Sequence, residues 1–277
     1  MFSPDLHDQV FLRLALENEL RHALENREFE LYYQPIYSLV TDQIAGFEAL
    51  IRWNHPTRGL LLPNEFLPIA EETGLILPIG QWVLYEACSQ LSRWREMDPA
   101  LRNLSINVNT SPRQLKQPDF VEQVIETLVE TGLSADALKL EITESMVMDN
   151  PVIINELFHR LYHLGVQLQV DDFGTGYSSL SYLQHFSFHS IKIDRSFIQE
   201  MDRPGRKSDL VRTMVQMAHD LGMNAIAEGV ETEEQRAELK RLTCQYAQGF
   251  LLAKPMDRTA AERCLELEMD LVPGHFD

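Results

Sequence analysis

A parallel (β/α)8 barrel is the fold class that the sequence predicts, and two observations predict it. Short strand-like runs alternate with helical stretches about eight times along the chain. The length of 277 residues and the 44% hydrophobic content are enough for the core of one barrel domain. An open doubly wound sheet is the structural alternative. The predicted strands are residues 29–36, 45–53, 103–109, 138–143, 166–172, 190–194, 224–229 and 244–250.

The first two predicted strands depart from the parallel pattern. Residues 38–45 between them, SLVTDQIA, are too few for a helix and resemble a hairpin loop. We therefore expect one antiparallel strand near the N-terminus and an irregular barrel. Helix starts are indicated at Pro151, and at Thr232 before two glutamates. The predicted helices are residues 66–70 continuing into 80–94, 120–131, 151–164, 210–221, 232–242 and 258–267.

Charge and composition exclude several classes of function. A formal net charge of −18 repels DNA, RNA and anionic membrane surfaces at long range, so a phosphate-bearing ligand would need local cations. No apolar run approaches the roughly 18 residues of a membrane span, and the acidic N-terminus lacks the features of a secretory signal. We expect a cytoplasmic protein. Cys88, Cys244 and Cys264 are widely spaced and predict neither disulfides nor a zinc site.

Alternate residues of the predicted strands differ in polarity. In an α/β barrel one side of each strand packs on the helices and the other faces the interior. Here one parity is apolar, as in Phe47, Ala49 and Ile51, which predicts an unusually polar interior from the other parity. The predicted interior residues are Glu48, Arg52, Ser105, Asn107, Asn109, Lys139, Glu141, Gln167, Gln169, Asp171, Lys192, Asp194, Glu228 and Gln248.

Two adjacent aspartates, Asp171 and Asp172, stand at the C-terminal tip of a predicted strand and before the glycine-rich residues 173–179. Such a pair shares a proton, caps the next helix or binds a divalent metal. Acids and amides at the C-terminal ends of barrel strands lie on the face where barrel enzymes build their sites.

The candidate metal ligands are carboxylates and one amide, without His or Cys. This all-oxygen set suits Mg²⁺ or Mn²⁺ better than zinc. Burying many unpartnered carboxylates would be costly, and the interior cations Lys192, Lys139 and Arg52 are too few to pair with them. A charge network of structural acids and bases remains the alternative. The candidate ligands are Glu48, Asn109, Glu141 and Asp171 for one cation, with Asp172 and Glu228 for a second.

An ordered series of motifs resembles the EAL domain phosphodiesterases of bacterial cyclic di-GMP signalling. The tripeptide Glu48-Ala49-Leu50 alone would recur by chance, so the order and number of the motifs carry the resemblance. It covers the chain from YQPI (33–36) to AKP (253–255). The other motifs are EALIRW (48–53), NTSPRQL (109–115), EITES (141–145), DDFGTGYSSL (171–180), IKID (191–194), AEGVE (227–231) and QGFLLAKP (248–255).

The resemblance implies hydrolysis of cyclic di-GMP to linear pGpG with two Mg²⁺ or Mn²⁺ ions. It implies that Asp171 ligates both ions and that Asp172 joins it at the second. It assigns Lys192 to orienting the nucleophile or stabilising charge on phosphorus, and Glu228 to the role of general base or water positioner. Glu144 would hold the loop after Asp172. The substrate contacts that it implies are Gln34, Leu50, Arg52, Asp194, Glu231, Gln248 and Pro255.

Domain organisation and partners follow from the same resemblance. We expect residues 1–26 to form a helix or a linker to an upstream sensory or GGDEF module, and residues 27–277 to form the phosphodiesterase domain. Members of the family often dimerise, so a homodimer is expected. We expect contact with neither duplex DNA or RNA nor membrane. A catalytically silent cyclic di-GMP receptor and a barrel enzyme acting on another phosphodiester remain alternatives.

Overall fold

Eight strands close into a barrel around a polar interior. The computed structural model describes residues 4–144, 146, 151–175, 183, 186–201 and 207–271. Residues 176–180 of the predicted loop and the far C-terminus lie outside the described residues. The strands are β1 (Phe29–Ser38), β2 (Ile44–His55), β3 (Gly59–Leu61), β4 (Ser105–Asn109), β5 (Leu138–Thr143), β6 (Gln167–Phe173), β7 (Ser190–Ile193), β8 (Asn224–Ala227) and β9 (Tyr246–Ala247).

The strand order confirms the predicted barrel and its irregularity. β1 pairs antiparallel with both β2 and β9, which closes the sheet. The pairs from β2 through β4, β5, β6, β7 and β8 to β9 are all parallel. β3 adds a short antiparallel extension to β2 outside the ring. β1 and β2 are joined by the predicted hairpin loop, in which Ser38 N–H donates to the Gln43 carbonyl at 2.9 Å. β9 is shorter than the predicted strand 244–250.

Helices surround the barrel. They are α1 (Pro4–Ala23), α2 (Pro63–Thr73), α3 (Ile76–Met97), α4 (Pro112–Leu115), α5 (Phe120–Thr131), α6 (Pro151–Leu164), α7 (Arg195–Gln199), α8 (Lys207–Asp220), α9 (Glu233–Arg241) and α10 (Arg258–Leu271). The predicted helical stretch 66–94 is two helices, because Gly74 ends α2 in the left-handed region at φ 81°. Thr232 starts α9 as predicted, by accepting the Gln235 N–H in a capping box.

The apolar parity of the strands forms the core between the sheet and the helices. Phe47, Ile106, Leu140 and Val170 are each no more than 1% exposed. Burial of each such side chain stabilises the fold by about 1.5–3 kcal/mol. The opposite parity therefore has to face the barrel axis, which brings polar side chains from different strands together. Among the described helices, none is both long and apolar enough to cross a membrane.

Candidate active site

A cavity of about 290 Å³ opens at the C-terminal ends of the barrel strands. In the lining of this catalytic-face cavity four acidic residues outnumber two cations, one of which is the buried Lys192. Because parallel strands place their carboxyl ends on one rim, side chains from distant parts of the sequence meet here. Its lining residues are Gln34, Glu48, Leu50, Asp171, Lys192, Arg195, Glu228, Gly229, Glu231, Gln248, Gly249 and Phe250.

Glu48 on β2 is held by amides on both sides. Asn109 Nδ2 donates to Glu48 Oε1 at 2.8 Å, and Gln248 Nε2 donates to Glu48 Oε2 at 2.9 Å. Gln248 also donates to Gln34 Oε1 at 2.8 Å, and Gln34 donates to the Ala253 carbonyl. This chain of hydrogen bonds fixes the Glu48 carboxylate and leaves the Asn109 amide oxygen available to a cation.

Glu141 on β5 is held from inside the barrel. Asn107 Nδ2 donates to Glu141 Oε1 at 2.7 Å and to Gln169 Oε1 at 2.6 Å. The other carboxylate oxygen of Glu141 accepts from Lys192 Nζ at 2.9 Å. Asn107 and Gln169 were predicted to face the interior, but their contact with Glu141 was not predicted. The signal in the sequence was that Asn107 and Gln169 are polar and that each lies two residues before a candidate ligand of its own strand.

Lys192 lies at the centre of the acidic cluster and is 1% exposed. Its Nζ is 2.7 Å from Glu228, 2.9 Å from Glu141, 3.3 Å from Asp171 and 3.4 Å from Glu48. Burial alone would lower the pKa of Lys192, but the surrounding carboxylates raise it well above its ordinary value. Lys192 is therefore a fixed positive charge shared by four acids.

A β-bulge turns the two aspartates of β6 toward the same site. The register between β6 and β7 shifts between Val170 and Phe173, and Asp172 lies in the left-handed region at φ 52°. In a regular strand adjacent side chains would point to opposite faces. Here oxygen atoms of Asp171, Asp172 and Glu228 all lie within 4.8 Å of one another. The break in alternation predicted at Asp172 has this backbone cause.

The carboxylates of the cluster differ in how readily they ionise. Burial raises the pKa of Glu228 to about 7, although Lys192 opposes the shift. Burial and the neighbouring Glu48 raise the pKa of Glu141 well above its ordinary value. Burial would also raise the pKa of Glu48, but Lys192 and its amide donors hold that pKa below its ordinary value. Burial and then Asp171 raise the pKa of Asp172. Crowded acids of this kind favour binding of a further cation.

The donor set fits divalent metal ions. Asp171 Oδ1 is buried and makes no hydrogen bond among the described residues, and Lys192 Nζ lies 3.3 Å from it. One lysine does not neutralise Glu48, Glu141, Asp171 and Glu228. The set contains carboxylate and amide oxygens only, which suits Mg²⁺ or Mn²⁺.

Glu144 contacts the loop that follows the aspartates. Its Oε2 accepts the Gly174 N–H at 3.2 Å. Gly174 has φ 97°, a conformation in which a residue with a Cβ would be strained. The Asp172 carbonyl accepts from Thr175 Oγ1 at 2.9 Å, which ties the end of β6 that carries the two aspartates to the same loop.

The residues predicted to contact substrate divide into two groups. Gln34, Leu50, Glu231 and Gln248 line the catalytic-face cavity. Arg52, Asp194 and Pro255 are outside its described lining, and their substrate role stays a prediction. Arg52 is buried over the Tyr32 ring, 5.2 Å from its centroid, and donates to the Ile51 carbonyl. Asp194 caps α7 by accepting the Ser196 N–H at 3.0 Å.

A second, apolar cavity of about 320 Å³ adjoins the first. It lies between the end of β2 and helices α2 and α3, and Leu50 lines both cavities. Its walls include Leu67, Ile79 and Val83, with Glu71 and Asn109 among its polar lining residues. Sequence reasoning did not identify this cavity, because it depends on how two helices pack against the outside of β2.

The fold and the acidic cluster together define a barrel protein with a cluster of carboxylate and amide oxygens at the C-terminal ends of its strands. A profile of the EAL domain family matches residues 17–255. The chain belongs to the EAL domain family.

Curated relatives include named cyclic di-GMP enzymes. The bifunctional diguanylate cyclase/cyclic di-GMP phosphodiesterase MucR of Pseudomonas aeruginosa is 42% identical over 92% of this chain and 37% of MucR. The cyclic di-GMP phosphodiesterase PdeR of Escherichia coli is 38% identical over 95% of this chain and 39% of PdeR. The chain spans about a third of the length of the curated relatives it matches.

Solved structures with the same fold include ligand complexes. The phosphodiesterase PaMucR in complex with cyclic di-GMP has a TM-score of 0.85 at 41% identity, covering 89% of this chain and 99% of that one. The EAL enzyme Bd1971 bound to cAMP and cyclic di-GMP has a TM-score of 0.87 at 33% identity, and the match covers 93% of this chain and 70% of that one.

Proposed function

We propose that this chain is a metal-dependent phosphodiesterase that hydrolyses cyclic di-GMP to linear pGpG. The observation that carries the proposal is the clustering of five carboxylates and the Asn109 amide at the C-terminal ends of the barrel strands, with four of the carboxylates within 3.4 Å of the buried Lys192. Relatives with cyclic di-GMP phosphodiesterase in their names support the choice of substrate.

The metal ligands are proposed from this geometry. Glu48, Asn109, Glu141 and Asp171 would hold one Mg²⁺ or Mn²⁺, and Asp171 with Asp172 a second. When bound, two such ions lower the pKa of water and neutralise charge developing on phosphorus. The bulge at Asp172 supports the second position, because it directs the Asp172 carboxylate toward Asp171 and Glu228.

Two further residues would act on the reacting groups. Glu228, with a pKa of about 7, can accept a proton near neutral pH, and its Oε1 is 2.7 Å from Lys192 Nζ. Lys192 keeps its charge, so it can stabilise negative charge on phosphoryl oxygens. Loss of any one of these groups would disturb the others, since all of them share Lys192.

The two adjoining cavities suit an extended dinucleotide. A phosphodiester placed over the carboxylates would leave one base directed past Leu50 into the apolar cavity. The walls there can bury a planar ring, and Glu71 offers an acceptor for the N–H groups of guanine. Gln248 donates to both Glu48 and Gln34, so we propose that Gln248 positions the Glu48 carboxylate, that Gln34 positions Gln248, and that both line the cavity.

A catalytically silent receptor is the competing proposal. The FimX EAL domain of Pseudomonas aeruginosa has been solved bound to cyclic di-GMP and is 25% identical, with a TM-score of 0.78. Retention of the acids, Lys192 and Glu228 in this chain favours hydrolysis. The name of MucR includes a diguanylate cyclase activity, which supports the proposal of a GGDEF module upstream of residues 1–26. A cytoplasmic homodimer also stays part of the proposal.

The test is to incubate the purified chain with cyclic di-GMP and Mg²⁺ or Mn²⁺, with a parallel sample in EDTA. Metal-dependent formation of pGpG, detected by chromatography, is expected. Glu48→Gln should abolish turnover, whereas the exposed Glu130→Gln should not. Binding of cyclic di-GMP without turnover would favour the receptor, and absence of both would refute both proposals.

A further inference from the structure

Arg195 lies on the wall of the catalytic-face cavity, which Lys192 also lines. It is the first residue of α7 and lines the cavity together with Glu228 and Gly229. Its side chain is exposed. Within the part of the chain that the structure describes, no carboxylate forms an ion pair with it. Glu231 on the same wall accepts instead from Gln199 Nε2 at 3.1 Å.

The backbone around Arg195 fixes where its side chain begins. Asp194 Oδ1 accepts from both Ser196 N at 3.0 Å and Ser196 Oγ at 2.5 Å, which anchors the first turn of α7. Gly229 lies directly against this turn. It has φ 69°, and a Cβ added there would lie 2.5 Å from Arg195 Cβ. A glycine at this position therefore lets the stem of Arg195 lie along the cavity wall.

The charges of the cavity lining leave Arg195 as the cation available to bind a phosphate. Glu48, Asp171, Glu228 and Glu231 give the described lining a negative field that repels phosphate. Lys192 is committed to four carboxylates, and Arg52 is buried over Tyr32 outside the lining. Cyclic di-GMP carries two phosphodiester anions. Only one of them can lie over the metal ligands, so the other needs a cation elsewhere on the wall.

We propose that Arg195 binds the phosphodiester of cyclic di-GMP that is not cleaved, and so determines specificity for a cyclic dinucleotide over a simple diester. This inference rests on the proposed function and adds a residue to it. A guanidinium can donate two parallel hydrogen bonds to a phosphate, and its exposure leaves it free to rotate onto the ligand. Among the described residues Arg195 forms no ion pair with the acidic cluster, so the role proposed for it is in binding and not in the chemical step.

The test compares two substrates. Arg195→Ala and Arg195→Lys are assayed with Mn²⁺ on cyclic di-GMP and on bis(4-nitrophenyl) phosphate, which has a single phosphate. Arg195→Ala should raise KM for cyclic di-GMP about tenfold, with kcat within about threefold, and should leave bis(4-nitrophenyl) phosphate turnover unchanged. Arg195→Lys should recover part of the loss. KM of the wild type should rise more steeply with salt than KM of Arg195→Ala.

The matched control is Arg212→Ala, which removes an exposed arginine of α8 that pairs with Asp209. This substitution should change neither KM nor kcat for either substrate. Equal loss on both substrates, or no loss on cyclic di-GMP, would overturn the assignment. Calorimetric binding of cyclic di-GMP in EDTA separates this inference from the proposed function. If the wild type binds without turnover, the enzyme proposal fails, and weaker binding by Arg195→Ala still supports the contact. If the wild type neither binds nor hydrolyses it, both fail.

Discussion

Asn107 supports Glu141 from inside the barrel through a hydrogen bond of 2.7 Å. Asn107 is fully buried and bridges Glu141 to Gln169, so the orientation of the carboxylate depends on a residue that cannot reach substrate. Lys192 contacts the opposite oxygen at 2.9 Å. Glu141 is thus fixed on both sides before any cation binds. Metal affinity is expected to depend on this support, because a fixed ligand loses less freedom on binding.

Asn107→Ala should weaken Mn²⁺ binding by about 10–100-fold, the range for residues that orient metal ligands. The variant loses the donor to Glu141, and the carboxylate can then rotate. Calorimetry with Mn²⁺ and the metal dependence of turnover measure the effect. Gln167→Ala is the control, since Gln167 lies at the other end of β6 and donates there to the Asp136 carbonyl. Reduced stability with unchanged metal affinity would show that Asn107 serves packing alone.

Asp172→Asn should abolish the second metal site while keeping the bulge. Asn tolerates the left-handed conformation as well as Asp does, so φ 52° carries no new strain. The substitution removes one charge beside Asp171 and Glu228. Mn²⁺ stoichiometry should fall from two to one, with at least about tenfold lower turnover. Asp136→Asn, at an exposed position, is the matched control. Two bound ions and unchanged turnover in Asp172→Asn would contradict the two-metal proposal.

Much of the fold and the acidic cluster could be predicted because both depend on local pattern. Alternation along Phe47–Ile51 identified which residues face inward, and the short segment 38–45 identified the antiparallel strand. Asp172 was recognised as a break in alternation. Arg195 was missed because its place on the cavity wall depends on Gly229, which belongs to a different strand connection. Arg52 was predicted to face the interior, but strand parity alone cannot show that its guanidinium lies over the Tyr32 ring.

Lys192→Met should destabilise the metal-free protein by about 3–5 kcal/mol, since it leaves two buried and two partly buried carboxylates without their cation. Urea denaturation in EDTA measures the loss. Added Mn²⁺ should restore part of it, because metal ions can replace the missing charge. Lys240→Met removes an exposed lysine paired with Asp42 and should cost about 0–1 kcal/mol. Equal effects of the two substitutions would show that the cluster does not depend on Lys192.

Lys139 should make stability depend on pH in the alkaline range. Burial lowers the pKa of Lys139 to about 8, although Glu141 opposes the shift, and its Nζ lies 5.7 Å from the Tyr246 ring centroid. The neighbouring His189 is affected in turn, since burial and Lys139 lower its pKa.

The sign follows from proton uptake on unfolding. Between pH 8 and the ordinary lysine pKa of about 10.4, unfolded Lys139 binds a proton that the folded protein does not hold. The contribution of Lys139 to the free energy of unfolding therefore rises with pH across this window and is constant below it. Lys139→Met removes that contribution, so its Tm minus the wild-type Tm should be largest below pH 8 and shrink toward pH 10. Differential scanning calorimetry from pH 6.5 to 10 measures this, with the exposed Lys116→Met as control. A Tm difference that does not vary with pH would mean that Lys139 titrates normally in the folded protein.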